Sequence, residues 1–210
     1  AEPDLVVVVG DDPAALATGS QTYPATAVGD FRGFGVERRV SFGAPPDPQA
    51  GEPLPLSLAV GAWLLAATGW QVPCWGLGVS SKAEPAQAAA LGAGLVDQAG
   101  RVALLVMGDG SARRTPKAPG SLDERAGPYD AAVERALAGV DLGALLALDP
   151  ALAAELLVAG RASWQALAGA VRASSGTRSW ASDVLYADAP YGVGYFVCLW
   201  EPEVPRAGVD

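Results

Sequence analysis

"DLVVVVG", residues 4 to 10, is an unbroken β-branched run closed by glycine, with none of the polar alternation that marks a strand wetted on one side. Such a run fits a strand covered on both faces, which belongs to a sheet sandwiched between helices. The chain on either side of it supplies the rest of that architecture. "QVPCWGLGVS" (71–80) reads as a second buried strand, with Pro73 pushing its start towards an edge or bulge. "RVALLVMG", opening the stretch "RVALLVMGDGSARR" (101–114), reads as a third, over 101–107. Between them, residues 56–68 form an apolar helix, hydrophobic nearly all round and so expected to be central. Residues 83–100 carry Ala, Leu and Val at helical spacing and stop at Gly100. Alternation of this kind predicts an α/β fold in three layers, a largely parallel central sheet with helices on both faces.

Other segments fill in the order. "DDPAALATGSQTYP" (11–24) reads as a loop, and "AVGDFRGFGVERRVSF" (27–42) as a strand pair or one long bent strand with a bulge at its glycines. Residues 43–55 form a Pro/Gly-rich loop, expected to be mobile. The stretch 123–172 is almost wholly helical, punctuated at Gly139, Gly143, Pro150 and Gly160, with Asp141 and Asp149 as N-caps. Residues 179–200 read as an antiparallel C-terminal strand pair joined by "DAPYG". No repeat or linker divides the chain, so residues 1–210 are expected to form a single domain.

Composition narrows the function. Half of the 210 residues are hydrophobic and 18% are charged, a globular profile, and the net charge is −9. Only Lys82 and Lys117 are lysines, and the arginines are scattered, so neither nucleic acid nor an anionic membrane surface is an expected partner. The longest apolar stretch, 54–70, is broken by Pro55, Ser57, Gly61, Thr68 and Gly69 and falls short of a membrane span. The opening residues have no basic leader region, so a cytoplasmic location is expected. Cys74 and Cys198 lie in apolar runs and read as buried free thiols.

The chain has no histidine. That removes Ser-His-Asp and Cys-His nucleophilic sites, imidazole zinc sites and the two-histidine iron triad. "GDGSARR" is neither a dinucleotide fingerprint, since Arg113 stands where a third small residue is needed, nor a nucleophile elbow around Ser111. What remains is polar groups at strand ends. Asp11 and Asp12 follow the first strand, and Asp109 and Ser111 follow the third. Arg113 and Arg114 come next, and Arg161 precedes a late helix. Parallel strands end on one side of a sheet, so these groups could converge there. Three carboxylates, Asp11, Asp12 and Asp109, could hold Mg²⁺ or Mn²⁺, or Asp109 could act as a general base if burial raised its pKa. Against this, Asp-Pro and Asp-Gly are common turn dipeptides, and each aspartate could simply bond a nearby backbone N–H. Tyr191 and Tyr195 could pack on one strand face, with Tyr191 in the turn as a further candidate for the cleft.

Taken together, "DLVVVVGDDPA", "RVALLVMGDGSARR", "AAELLVAGRASWQALAGA" and "DAPYGVGYFV" resemble the class III extradiol ring-cleavage dioxygenase superfamily, B-subunit type. The likeness is greatest to its actinobacterial branch, and the Memo-like relatives share the same order of elements. The resemblance runs from about residue 4 to residue 200. It implies ferrous iron held by two histidines and a carboxylate, with another histidine as acid/base. At the matching positions this chain has Asp11-Asp12-Pro13, Ala112, and Ala159 where Memo-like proteins carry a cysteine. The family's upstream βα unit, with its own histidine, is expected to be absent or to lie outside the sequence. The implied protein is therefore a degenerate relative without an iron site or other cofactor, in which Asp109 and Ser111 are the only catalytic candidates. Its cleft would be lined by Asp11, Asp12, Asp109, Ser111, Arg113, Arg161 and Tyr191. That cleft is expected to bind a small molecule or a protein segment, and self-association into a homo-oligomer is open to it.

Overall fold

A computed structural model describes residues 2–16, 19–43, 53–174 and 179–203. Strand β1 (Leu5–Asp11) is the axis of a four-stranded sheet. The remaining strands of that sheet are β2 (Ser20–Tyr23), β5 (Cys74–Val79) and β6 (Val102–Val106), in the order β2-β5-β1-β6. β5 and β6 flank β1 in parallel, and β2 closes one edge antiparallel to β5. β2 lies inside the stretch read as a loop. It is short and polar, "SQTY", so it carries no hydrophobic signature and exists because β5 offers it a ladder. The strand pair expected over 27–42 is present as β3 (Gly29–Asp30) and β4 (Arg39–Val40), each only two residues long. The loop expected over 43–55 lies, from 44 to 52, outside the described residues.

The valine run works as its pattern requires. Val6 and Val8 face helix α1 (Leu56–Ala67) in one core, with Leu58, Ala59 and Ala62. Val7 and Val9 face the opposite way, with Leu77, Val79, Ala88, Ala162 and Ala166. That second face is covered by α2 (Pro85–Ala93) and α6 (Arg161–Ser174), so helices lie on both faces of the sheet. Two expectations about the strands are corrected here. β5 is interior rather than at an edge, because Pro73 precedes the strand and its carbonyl still accepts from Val6 N at 3.0 Å. β6 is the edge strand, and every residue in it is only half-buried.

The helices also depart from the reading of periodicity. α1 is not central: it buries Leu58, Ala59, Gly61 and Ala62, while Leu56, Trp63 and Leu64 remain 49%, 38% and 39% exposed. The central helix is α6, ten of whose fourteen residues are buried. It crosses α2 at a glycine pair. A Cβ on Gly92 would strike the Ala166 carbonyl, and one on Gly169 would strike that of Ala89, so the two backbones touch only because both residues lack a side chain. α2 ends at Ala93, short of the expected Gly100, and 94–100 continue as turns.

Beyond α6 the helical half breaks into α3 (Ala126–Ala138), α4 (Leu142–Leu146) and α5 (Pro150–Glu155). Asp141 and Asp149 are the N-caps of α4 and α5, accepting from Ala144 N at 2.9 Å, and from Ala151 N and Leu152 N at 2.7 and 2.9 Å. Gly139 ends α3 and Gly160 precedes α6, whereas Gly143 lies within α4. The antiparallel pair β7 (Trp180–Asp188) and β8 (Tyr195–Pro202) packs Phe196, Cys198 and Trp200 against α3. Cys74 is buried and Cys198 half-buried, and both are free thiols. Among the described residues no helix is long and apolar enough to cross a membrane.

Candidate functional site

At the end of β1 the chain's alternation sends its two aspartates to opposite faces. Asp12 points to the α1 side, is 1% exposed, and lies against Gly78 of β5. Its Oδ1 accepts from Ala14 N at 2.8 Å and its Oδ2 from the Tyr23 hydroxyl at 2.8 Å. Both oxygens are thus committed to a turn and to holding β2 in place. Asp11 points to the α6 side, and its Oδ1 is buried with no hydrogen-bond partner. Burial pushes its carboxyl up to about 6, with the neighbouring Asp12 charge adding to the rise and Arg161 opposing it.

Arg161, the first residue of α6, is 2% exposed. Its Nη1 donates to the Ala83 carbonyl at 2.8 Å and to Gln165 Oε1 at 2.7 Å, and its Nη2 donates to the Ser81 carbonyl. The guanidinium pins the loop after β5 to α6, and Gln165 extends the network to the Leu148 carbonyl at 3.1 Å. No carboxylate comes within ion-pair distance of it among the described residues. Burial lowers its pKa, and Tyr129, Glu84, Asp11 and Asp149 surround it at longer electrostatic range. A cation at a helix N-terminus also faces the positive end of the dipole. Tyr129 of α3 is 7% exposed, its hydroxyl is buried without a partner, and its pKa is raised by desolvation. Ser163 Oγ, on the first turn of α6, is likewise buried and unpartnered. The carboxyl end of β1 therefore brings together a carboxyl that resists ionisation and a buried cation, with the unpartnered Tyr129 hydroxyl within electrostatic reach of that cation.

The loop after β6 is divided between the structural and the accessible. Ser111 is fully buried, donating from N (2.8 Å) and Oγ (2.7 Å) to Asp130 of α3, which also accepts from Arg114 Nη1 at 3.0 Å. Gly110 and Gly194 make room for this carboxylate, since a Cβ on either would come within 2.9 or 2.5 Å of it. Asp130 was not among the residues singled out from sequence, although a signal existed. It shares the buried stripe of α3 with Ala126, Tyr129, Val133 and Ala136, where an aspartate is out of place unless it is bonded. Arg113 turns away from the strand ends towards Gly120 and Asp123, with its Nε unpartnered. Asp109 sits at the exposed rim, though nearby protein still raises its carboxyl, and its carbonyl accepts from Gly160 N at 2.8 Å. Tyr195 lies within electrostatic reach of Asp109 and of Tyr191, and Tyr191 is 79% exposed in the hairpin turn rather than lining a cavity.

The seven residues expected to share a cleft thus fall into separate roles. Asp12, Ser111 and Arg161 are tied into structural networks, Asp11 is half-buried with one buried oxygen left without a partner, Arg113 faces elsewhere, and Asp109 and Tyr191 are exposed. Among the described residues no three carboxylate or cysteine side chains form a group that could hold a metal ion, so Asp11, Asp12 and Asp109 do not converge as a ligand set. The ferrous iron implied by the extradiol resemblance does not fit this donor set either, because it needs imidazole ligands and the chain has none. Compared with protein-family models and with curated proteins, the chain matches none.

Proposed function

We propose that this chain is an extradiol-dioxygenase-like scaffold, without the superfamily's iron chemistry, that binds a small polar molecule at the carboxyl end of β1 and acts in the cytoplasm. One observation carries the reading: the buried, unpartnered Oδ1 of Asp11 beside the buried guanidinium of Arg161. A buried polar atom without a partner costs free energy unless something bonds it, and at a parallel strand's carboxyl end that something is commonly a ligand. The Tyr129 hydroxyl, within electrostatic reach of Arg161, adds a donor of the same unsatisfied kind. A matching ligand offers a hydrogen-bond donor to Asp11 and an acceptor to a hydroxyl. The order of segments shared with the extradiol superfamily supports the scaffold, and the missing histidines support the loss of its metal. Two free thiols and no disulfide suit a reducing compartment.

The test is metal analysis of the purified chain together with oxygen uptake on catechols such as protocatechuate. Expected are substoichiometric iron and no uptake. One iron per chain with ring cleavage would overturn the proposal. A second reading, acid–base catalysis at the same strand end, draws support from Asp11, whose carboxyl is pushed up by burial to about 6, close to neutral pH. The magnesium or manganese version lacks comparable support, because both oxygens of Asp12 are already engaged.

A further inference from the structure

From Ser179 to Pro205 the chain has no lysine or arginine but four acids, Asp183, Asp188, Glu201 and Glu203. Strands β7 and β8 lie in this stretch, and pleat alternation divides their residues between two faces. Phe196, Cys198 and Trp200 pack inward on the α3 side, while Val197 and Leu199 point outward, with Tyr186 across the ladder from Val197 and Leu185 in the bulge beside it. Leu185, Tyr186, Val197 and Leu199 are each at least 43% exposed, so the hairpin carries an apolar strip on its open side. Asp183 and Glu201 border one end of the strip and Asp188 the other, roughly 17 Å away along an extended strand. None of the three is in an ion pair among the described residues. Neither strand has a further strand at its outer edge among the described residues.

We propose that the outer face of β7 and β8 docks a cationic, extended segment of another protein, with apolar residues on the strip and Lys or Arg at its acidic ends. Charge selects this occupant. The strip lies between unpaired carboxylates on a molecule of net charge −9, so the local and the overall field both draw a basic segment in. The same fields oppose a second copy, which would set Asp183, Asp188 and Glu201 against their own kind, and they oppose nucleic acid and anionic lipid. The exposed side of α1 differs in this respect, because residues 53–81 carry no charge that would tell one partner from another. The strip is two strands wide and bounded by charge at both ends, which fits the two-residue period of an extended segment. The outer edges of the strands also offer that segment's backbone hydrogen-bond partners.

The test is fluorescence anisotropy of three dye-labelled peptides, each of about nine residues, titrated with the full chain. The first has leucines on alternate central positions and arginines at both ends. The second has glutamates in place of the arginines, and the third has serines in place of the leucines. The first is expected to bind saturably with a Kd on the order of 100 μM at ~50 mM NaCl, and about tenfold more weakly at ~500 mM. The other two are expected to bind at least about tenfold more weakly than the first. Leu199→Ser, and the double variant Asp183→Asn with Glu201→Gln, are each expected to weaken the first peptide about tenfold while far-UV circular dichroism is unchanged. Leu64→Ser, on α1, is expected to leave its affinity as it was. No binding of the first peptide up to ~1 mM overturns the proposal, as does equal binding of either other peptide. Affinity that survives both hairpin variants, or is lost with Leu64→Ser, places the contact elsewhere and likewise overturns it. A chain that dimerises in sedimentation and is made monomeric by Leu199→Ser would give this face to a second copy, with the same consequence.

Discussion

Asp11 has an ordinary carboxyl pKa of 3.8 when unfolded and one of about 6 in the folded chain. Protonated Asp11 suits the fold, so its contribution to stability is fully present below 3.8 and is lost as pH rises through about 6. The penalty for ionising it is about 1–2 kcal/mol, once screening by the solvent that partly reaches it is counted. Asp11→Asn keeps the shape and removes the charge. It should stabilise the chain by that amount at pH 8 and leave it nearly unchanged at pH 4, as read from urea midpoints at the two values. An equal gain at both would show that ionisation is not the cause. Asp12 and Asp130 contrast with it, since both are buried and fully bonded. Sequence placed Asp11 and Asp12 side by side at the strand end without showing that they part ways. Their difference comes from pleat alternation combined with which neighbours occupy each face.

At the scale of elements, the crossing of α2 and α6 makes the closest approaches to any glycine among the described residues. Gly92→Ala places a methyl group on the Ala166 carbonyl, a collision with backbone that no rotamer change relieves. It should cost about 3 kcal/mol, lower the midpoint of chemical denaturation, and loosen the attachment of the Arg161 network to the loop after β5. A wild-type midpoint would mean that the helices separate without penalty. Neither glycine was legible as a contact, because a glycine within an alanine-rich helix looks the same whether it meets solvent or another backbone. The caps of α4 and α5 were legible, since an aspartate followed by a helical pattern acts within one turn of itself. β2 was not, because its stability comes from the ladder of β5, fifty residues away in sequence.

The whole molecule is joined through β1, whose alternate valines belong to the core clusters on the two faces of the sheet, while Trp164 of α6 reaches the third cluster with α3 and β8. Unfolding should therefore be one cooperative event. Transitions followed by tryptophan fluorescence, with its reporters spread over α1, β5, α6, β7 and β8, and by far-UV circular dichroism should coincide in urea. Two separated transitions would divide the helical half from the sheet. By itself the sequence determined the α/β class, the parallel strands, the caps and the lack of an imidazole metal site. All of these follow from residue type or from periodicity within a single element. Only the tertiary structure decided that α6 rather than α1 is central and that β6 is an edge. It also decided that Asp130 anchors Ser111 and that, of the neighbouring Asp11 and Asp12, it is Asp11 that keeps a buried unpartnered oxygen. Those outcomes depend on which elements pack together, and burial and hydrogen-bond satisfaction are properties of neighbours rather than of sequence position.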